Sequence, residues 1–465
     1  MKRVLILAYY FPPFAEIGHK RPLRLANYLA AHGWRVTVYA GSRAGEGGTA
    51  HKDPALLKNI DSRIAVVRTP AFHGFQLAIR ARDALRERTA SSQGGNASGK
   101  AAGSGKDSGS MGVTAAAAPR PRGPVARAID AIMGAFKIPD AYTGWIPATL
   151  PVLLFRHLAA RPQAIVVTGP PWSPLVLAWL AGRILGVPVF LDYRDPWNLN
   201  PDYWARRSRL SLFLERKAVA ACAGIIANTG ALKTGMQERF PAAAARVHCV
   251  PNGFDADTRR SLEALRAQGV GADPERFVVS HIGTLYWQRM PEALSEAMAR
   301  TAAAWQGPRD IRFRFVGLLD NPDRLREAFR KHGALDKLEL AGTVDTATAK
   351  RELLRADVLL LLQPGYKFQI PAKLFEYVLS EKPLLCLLEP ESEADRLIRK
   401  YALGRILAGA DDTEGMRKFL RECLEGRKAA GAGTEAAVGR FFADFDGDLL
   451  SGRMARILDG EPPEP

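Results

Sequence analysis

The sequence predicts an α/β protein built as two tandem, doubly wound domains that face a central cleft. Three observations carry this. Short continuous apolar runs recur along the chain, spaced by stretches long enough for a helix, as in parallel strands buried on both faces. The alternation stops at the polar segment "FDADTRRSLEALRAQGVGADPERF" and then restarts. The length, 465 residues with 47% hydrophobic, exceeds what one compact domain holds.

The elements follow in order. "KRVLILAYY" and "RVTVYAG" read as strands around a helix over about 20–32, and "IAVVRTP" as a third strand. "AIVVTG" and "VPVFLDYRD" continue the pattern around an apolar helix over 175–185, and "AGIIANT" and "VHCVPNG" close the first set. The second set is "FVVSHIGTL", "RFRFVGLL", "LELAGTV", "ADVLLLLQP" and "KPLLCLL". The expected domains are 1–260 and 275–435, with a C-terminal helix over 436–465 packing back on the first. Residues 89–124 are Gly, Ser and Ala with almost no large apolar side chain. Such a segment cannot bury enough surface to order itself, so a disordered insertion in the first domain is expected.

Composition narrows the function. The formal charge of +17 invites an acidic partner: nucleic acid, an anionic membrane face or a phosphorylated ligand. Part of it sits on the flanks of the insertion, and no aromatic residues are interleaved there for base stacking, which argues against nucleic acid. The four cysteines lie far apart without metal spacing and read as isolated thiols of a reducing compartment. Pro12-Pro13 cuts the N-terminal apolar run too short for a signal peptide, and no uncharged run approaches a membrane span of about 20 residues. The expectation is a cytoplasmic protein, peripheral on the inner face of the cell membrane.

Four stretches carry the chemistry. The first, "LILAYYFPPFAEIGHKR", leaves a strand through two prolines and reaches one glycine, Gly18. A dinucleotide fingerprint needs three glycines, so a nicotinamide or flavin role is disfavoured. What remains is a mobile loop whose helix N-terminus can face an anion held by another part of the protein. The second, "FLDYRDPWNLNPDYW", sets Asp192, Arg194, Asp195 and Trp197 at the carboxyl end of a strand, where open α/β sheets bind ligands. There Asp192 and Arg194 lean toward a structural pair, and Asp195 and Trp197 toward the cleft. "VVTGPPWSP" ends another strand with Pro171 and Trp172 at the same edge. The third, "SHIGTLYWQRM", offers Gly283 for close approach and Arg289 six residues on. In the fourth, "QIPAKLFEYVLSEKPLL", Lys373 and Glu376 share one helical face: a phosphate-binding cation beside a carboxylate for sugar hydroxyls, or an ordinary surface ion pair.

Taken with "IPDAYTGW", "IIANT", "VPNGFD" and "LELAGTV", these stretches in this order resemble the retaining GT-B glycosyltransferases of family 4, in the branch with an R-D-P-W loop. The resemblance spans nearly the whole chain apart from the insertion and the C-terminal end. It implies two Rossmann-like domains, the second holding a nucleotide-sugar, with UDP as the expected nucleotide. It implies Asp195, Arg289 and Lys373 as the catalytic set. It implies Gly18, Gly283, Thr284, Arg289, Lys373 and Glu376 at the donor, the two cations on the diphosphate and Glu376 on the ribose. Pro171, Trp172, Asp192, Arg194 and Trp197 are expected along the acceptor cleft. The family's paired glutamates are reduced here to Glu376, with Phe368 in the first position, and Thr284 stands where the family often has arginine.

The implied activity is transfer of a sugar, with retention, to a glycan or lipid-linked acceptor in surface polysaccharide or glycolipid synthesis. No cofactor and no metal are expected beyond the nucleotide-sugar. Two other readings share the fold: a sugar-nucleotide epimerase, which needs no acceptor, and a non-catalytic glycan- or partner-binding protein.

Overall fold

A computed structural model describes residues 1–15, 17–42, 52–71, 138–199, 208–426 and 435–461. The expected insertion at 89–124 lies outside the described residues. The first domain is a seven-stranded sheet in the order β3-β2-β1-β4-β5-β6-β7, and every pair in it is parallel. Its strands are β1 (Arg3–Leu7), β2 (Arg35–Gly41), β3 (Ala65–Thr69), β4 (Ala164–Gly169), β5 (Val189–Tyr193), β6 (Gly224–Ala227) and β7 (Val247–Cys249). The second domain repeats the order in six parallel strands, β10-β9-β8-β11-β12-β13. These are β8 (Arg276–Ile282), β9 (Asp310–Val316), β10 (Leu338–Gly342), β11 (Val358–Gln363), β12 (Leu384–Leu388) and β13 (Gly404–Ile406). The twelve strands read from the sequence are all present. β13 is the addition: its three half-buried residues, Gly-Arg-Ile, make no apolar run to detect.

The reversal of strand order falls between β1 and β4 in one sheet and between β8 and β11 in the other. Ligands of open α/β sheets bind at such points, beyond the carboxyl ends of the strands. The helix Lys20–Ala31 leads away from the first of these edges. It buries Pro22, Leu25, Ala26, Leu29 and Ala30 at helical spacing, and Gly33 at φ +79° ends it. Pro22 is tolerated because the first helical turn has no internal partner for its missing N–H.

Four apolar layers hold the two sheets. Leu5, Leu7, Val167 and Leu191 face the helices Trp145–His157, Ser173–Leu185, Arg209–Ala221 and Gly230–Arg239. Val4, Ile6, Val36 and Val38 face the helix Lys20–Ala31 on the opposite side. The second sheet is covered likewise by two clusters. The C-terminal end differs from the expected single helix. The helix Glu435–Asp444 puts Phe441 into the second domain against Phe375 and Tyr401. The helix Gly447–Leu458 puts Leu450, Met454 and Ile457 into the first domain beside Val4 and Ile6. The chain thus crosses between domains at Phe445 and Asp446, where Phe254 N–H donates to Phe445 O at 3.2 Å.

Candidate active site

The second domain contributes a cation cluster at the carboxyl end of β8. Gly283 turns the chain there at φ +109°, a left-handed conformation that disfavours any side chain. A Cβ on it would stand 2.7 Å from Lys373 Cε, so glycine also makes room for the lysine. Lys373 opens the helix Ala372–Leu379, whose N-terminus has no side-chain cap. Its Nζ donates to Thr284 O at 2.8 Å and to His281 Nε2 at 2.8 Å. His281 Nδ1 lies 3.0 Å from Leu360 O, which requires the proton on Nδ1 and leaves Nε2 as an acceptor. Burial and the Lys373 charge hold the imidazole neutral, far below the usual histidine range.

Arg289 completes the cluster from the single 3-10 turn Trp287–Arg289. Its guanidinium lies over the Tyr366 ring at 4.7 Å and near the Tyr286 ring at 5.8 Å, and its buried Nε has no hydrogen-bond partner. Burial, and then the Arg289 charge, lower the Lys373 ammonium to about 7, against a weaker pull upward from Glu376. Two cations and an uncapped helix start therefore converge on one point. Such a point is electrostatically suited to a polyanion.

Glu376, one turn along from Lys373, is engaged across the cleft. Lys20 Nζ of the first domain donates to its Oε1 at 2.6 Å. The pair borders a cavity of about 530 Å³ between the domains, also lined by Arg24, Ile282, Val344 and Lys350.

The first domain answers with Asp195. Its Oδ1 accepts from Gln369 Nε2 of the second domain at 2.8 Å. Burial raises its carboxyl to about 6, although Arg194 and Arg289 pull it down. Two further bonds close the cleft. Thr229 Oγ1 donates to Phe368 O at 2.7 Å, and Ala231 N–H at a helix start donates to Glu393 Oε1 at 2.7 Å. Phe368 turns toward the first domain; its ring edge would be 3.5 Å from a Cβ on Gly235.

Several residues expected along the acceptor cleft lie beneath it. Asp192 is buried in an ion pair with Arg21, Nη2 to Oδ1 at 2.8 Å, and not with Arg194. Arg21 also donates to Pro251 O at 2.7 Å and Val250 O at 2.9 Å, tying β5 to the end of β7. Trp172 and Trp197, at 3% and 1% exposure, stack on each other with centroids 5.4 Å apart. The Trp197 ring donates to Ser211 Oγ at 3.0 Å, so its polar atom is satisfied inside the core. Pro171 is buried with them. Arg194 is a brace: it donates to Gly18 O at 2.8 Å and to Pro170 O, and Asn228 donates to the Arg194 carbonyl. The guanidinium fills the space a Cβ on Gly18 would need, with Nη1 at 2.4 Å.

The structure thus brings together Gly283, Thr284, Arg289, Lys373 and Glu376, with Asp195 facing them. It sets Gly18 and Arg194 behind the loop, and Asp192, Pro171, Trp172 and Trp197 in the core. His281, Lys20, Arg21 and Gln369 were not anticipated in these roles. His281 stands in "SHIGTLYWQRM", and Lys20 and Arg21 follow Gly18 as a conspicuous cation pair. Nothing local to Gln369 announces that it reaches Asp195.

The fold is that of the GT-B glycosyltransferases: two parallel-sheet α/β domains with a cleft between them. The structure is similar over 99% of this chain and 100% of the other to HepE of Anabaena in complex with UDP and glucose, with 16% identity and a TM-score of 0.59. Sucrose-phosphate synthase from Thermosynechococcus elongatus matches over 99% of both chains, at 12% identity and a TM-score of 0.62. WaaG, a glycosyltransferase involved in lipopolysaccharide biosynthesis, matches over 98% of this chain and 100% of its own, at 13% identity and a TM-score of 0.54. Residues 113–258 match the family described as Glycosyltransferase Family 4. Comparison with curated proteins finds no match.

Proposed function

We propose that the protein transfers a sugar, with retention, from a nucleoside diphosphate sugar to a glycan or lipid-linked acceptor. One observation carries the reading: Arg289 and Lys373 converge at a helix start that has no side-chain cap, with the lysine lowered to about 7. A diphosphate placed there gains charge-assisted hydrogen bonds that strengthen as the sugar–oxygen bond breaks and negative charge builds on the leaving group. His281 accepts from Lys373 and so aims the ammonium. Glu376 takes the ribose hydroxyls when Lys20 yields it, and the cavity beside Val344 takes the base.

Asp195, at about 6, accepts from or donates to a sugar hydroxyl on the acceptor side. This chemistry needs no protein nucleophile and no metal: the acceptor hydroxyl enters on the face the diphosphate leaves and passes its proton to the departing diphosphate oxygen. UDP as the nucleotide is supported by HepE, crystallised with UDP and glucose. A glycan acceptor in surface polysaccharide or glycolipid synthesis is supported by WaaG, which is involved in lipopolysaccharide biosynthesis.

The test is calorimetric titration with UDP, GDP, ADP and dTDP. Binding of one of them, weakened by about 1.5–3 kcal/mol in Lys373→Ala, is expected from the loss of a charge-assisted contact. No binding of any nucleotide would remove the donor site. Incubation with UDP-N-acetylglucosamine and no acceptor separates transfer from epimerisation, since only an epimerase alters the sugar alone.

A further inference from the structure

One face of the first domain is not used by the cleft. Three helices, Trp145–His157, Ser173–Leu185 and Arg209–Ala221, lie side by side on the same side of the sheet. Their inner faces supply the core. Their outer faces, with Leu158 just past the first helix, carry six of the exposed large apolar side chains found among the described residues: Val152, Phe155, Leu158, Ile184, Leu210 and Phe213. Phe155 is 90% exposed, and Ile184 and Phe213 are about half exposed, at 51% and 50%.

The charge on this layer has one sign. Arg156, Arg183, Arg209, Arg216 and Lys217 are exposed. The only acid on the three helices is Glu215, which is fully buried and hydrogen-bonded to Asn198 and Tyr193. Lys217 lies over the Phe213 ring at 5.4 Å, so cation and apolar anchor are presented together. Beyond the helix ends, the exposed Arg161 lies near Gly186, 3.8 Å from the position of a Cβ there, and adds another cation.

We propose that this three-helix face docks peripherally on an anionic lipid surface. The apolar side chains would enter the interfacial zone while the arginines and Lys217 meet lipid phosphates. A second copy of the chain is a poor occupant, because an isologous contact would set cation against cation. No helix among the described residues is long and apolar enough to cross a membrane, so the contact is with the surface. The proposal does not rest on the transferase reading; it holds or fails whatever the cleft binds.

The test is co-sedimentation of the full chain with vesicles of phosphatidylcholine alone or with phosphatidylglycerol added, at low and high salt. The expected result is pelleting with the anionic vesicles at low salt, little with the neutral ones, and release at high salt. Each cation near an anionic surface is worth about fivefold in affinity, so Arg156→Ser with Arg183→Ser should weaken binding about twenty-five-fold. Phe155→Ser with Phe213→Ser should weaken it at low salt, although every cation is kept. Arg326→Ser, on the exposed surface of the second domain, should leave it unchanged. Unchanged melting temperatures and UDP titrations keep these variants interpretable. Retained binding in both double variants would overturn the proposal, as would equal loss in Arg326→Ser. Absence of pelleting with anionic vesicles would also overturn it and leave an acidic protein as the occupant of this face.

Discussion

Nucleotide binding should depend on pH through Lys373. In the cleft its ammonium titrates at about 7, because burial, and then the Arg289 charge, disfavour the charged form against a weaker pull upward from Glu376. A bound diphosphate reverses that balance and raises the lysine back toward its ordinary range. Binding therefore takes up a proton at any pH above 7. The apparent Kd scales with one plus the ratio of neutral to charged lysine. It should double by pH 7, rise about fivefold to pH 8 and about ninefold more to pH 9, so that between pH 7 and pH 9 it grows about fifty-fold, or ~2.3 kcal/mol. The phosphate itself contributes little there, since its last proton leaves near pH 6. The sign is distinctive: affinity falls as pH rises. The assay is calorimetry with UDP at pH 6.5 to 9 in two buffers of different ionisation enthalpy, which also counts the proton. Lys373→Arg keeps the charge at all these pH values and should flatten the profile, whatever its absolute affinity. A Kd constant to within twofold across the range, or the same slope in Lys373→Arg, would refute the reasoning.

Four other outcomes follow from the same geometry. Asp192→Asn leaves Arg21 buried without its counter-charge and should cost ~3–5 kcal/mol of stability, read from the urea midpoint; an unmoved midpoint would show the pair to be dispensable. Glu376→Gln should raise the donor KM with little change in melting temperature, because its pair with Lys20 is about one-third exposed and such pairs are worth ~0–1 kcal/mol. A large fall in melting temperature would instead make Glu376 structural. Gly283→Ala forces a side chain into a left-handed backbone and against Lys373, so UDP affinity should fall at least tenfold by titration; native affinity would mean the turn tolerates a Cβ. Deleting residues 89–124, whose composition cannot build a core, should leave folding and UDP binding intact, as judged by circular dichroism and titration.

What the sequence by itself determined is local. An apolar run of five or six residues declares a strand wherever it lies, so twelve strands and the break between domains were legible before any packing was known. The same holds for Lys373 and Glu376, whose shared face follows from helical spacing alone. Partners distant in sequence were not legible. Asp192 pairs with Arg21 across 171 residues, and Glu376 with Lys20 across 356. Those meetings are made by strand order, which brings β5 near the start of the first helix and sets one domain's edge against the other's. The aromatic loop shows the cost of reading locally. Trp172 and Trp197 stand in motifs at the sheet edge and read as ligand contacts, yet they stack together because burying two indoles releases more water than leaving them in an open cleft. Asp195, three residues from Asp192, took the opposite course. A carboxyl needs a partner or water, and the second domain's Gln369, delivered by the loop after β11, meets it at the cleft.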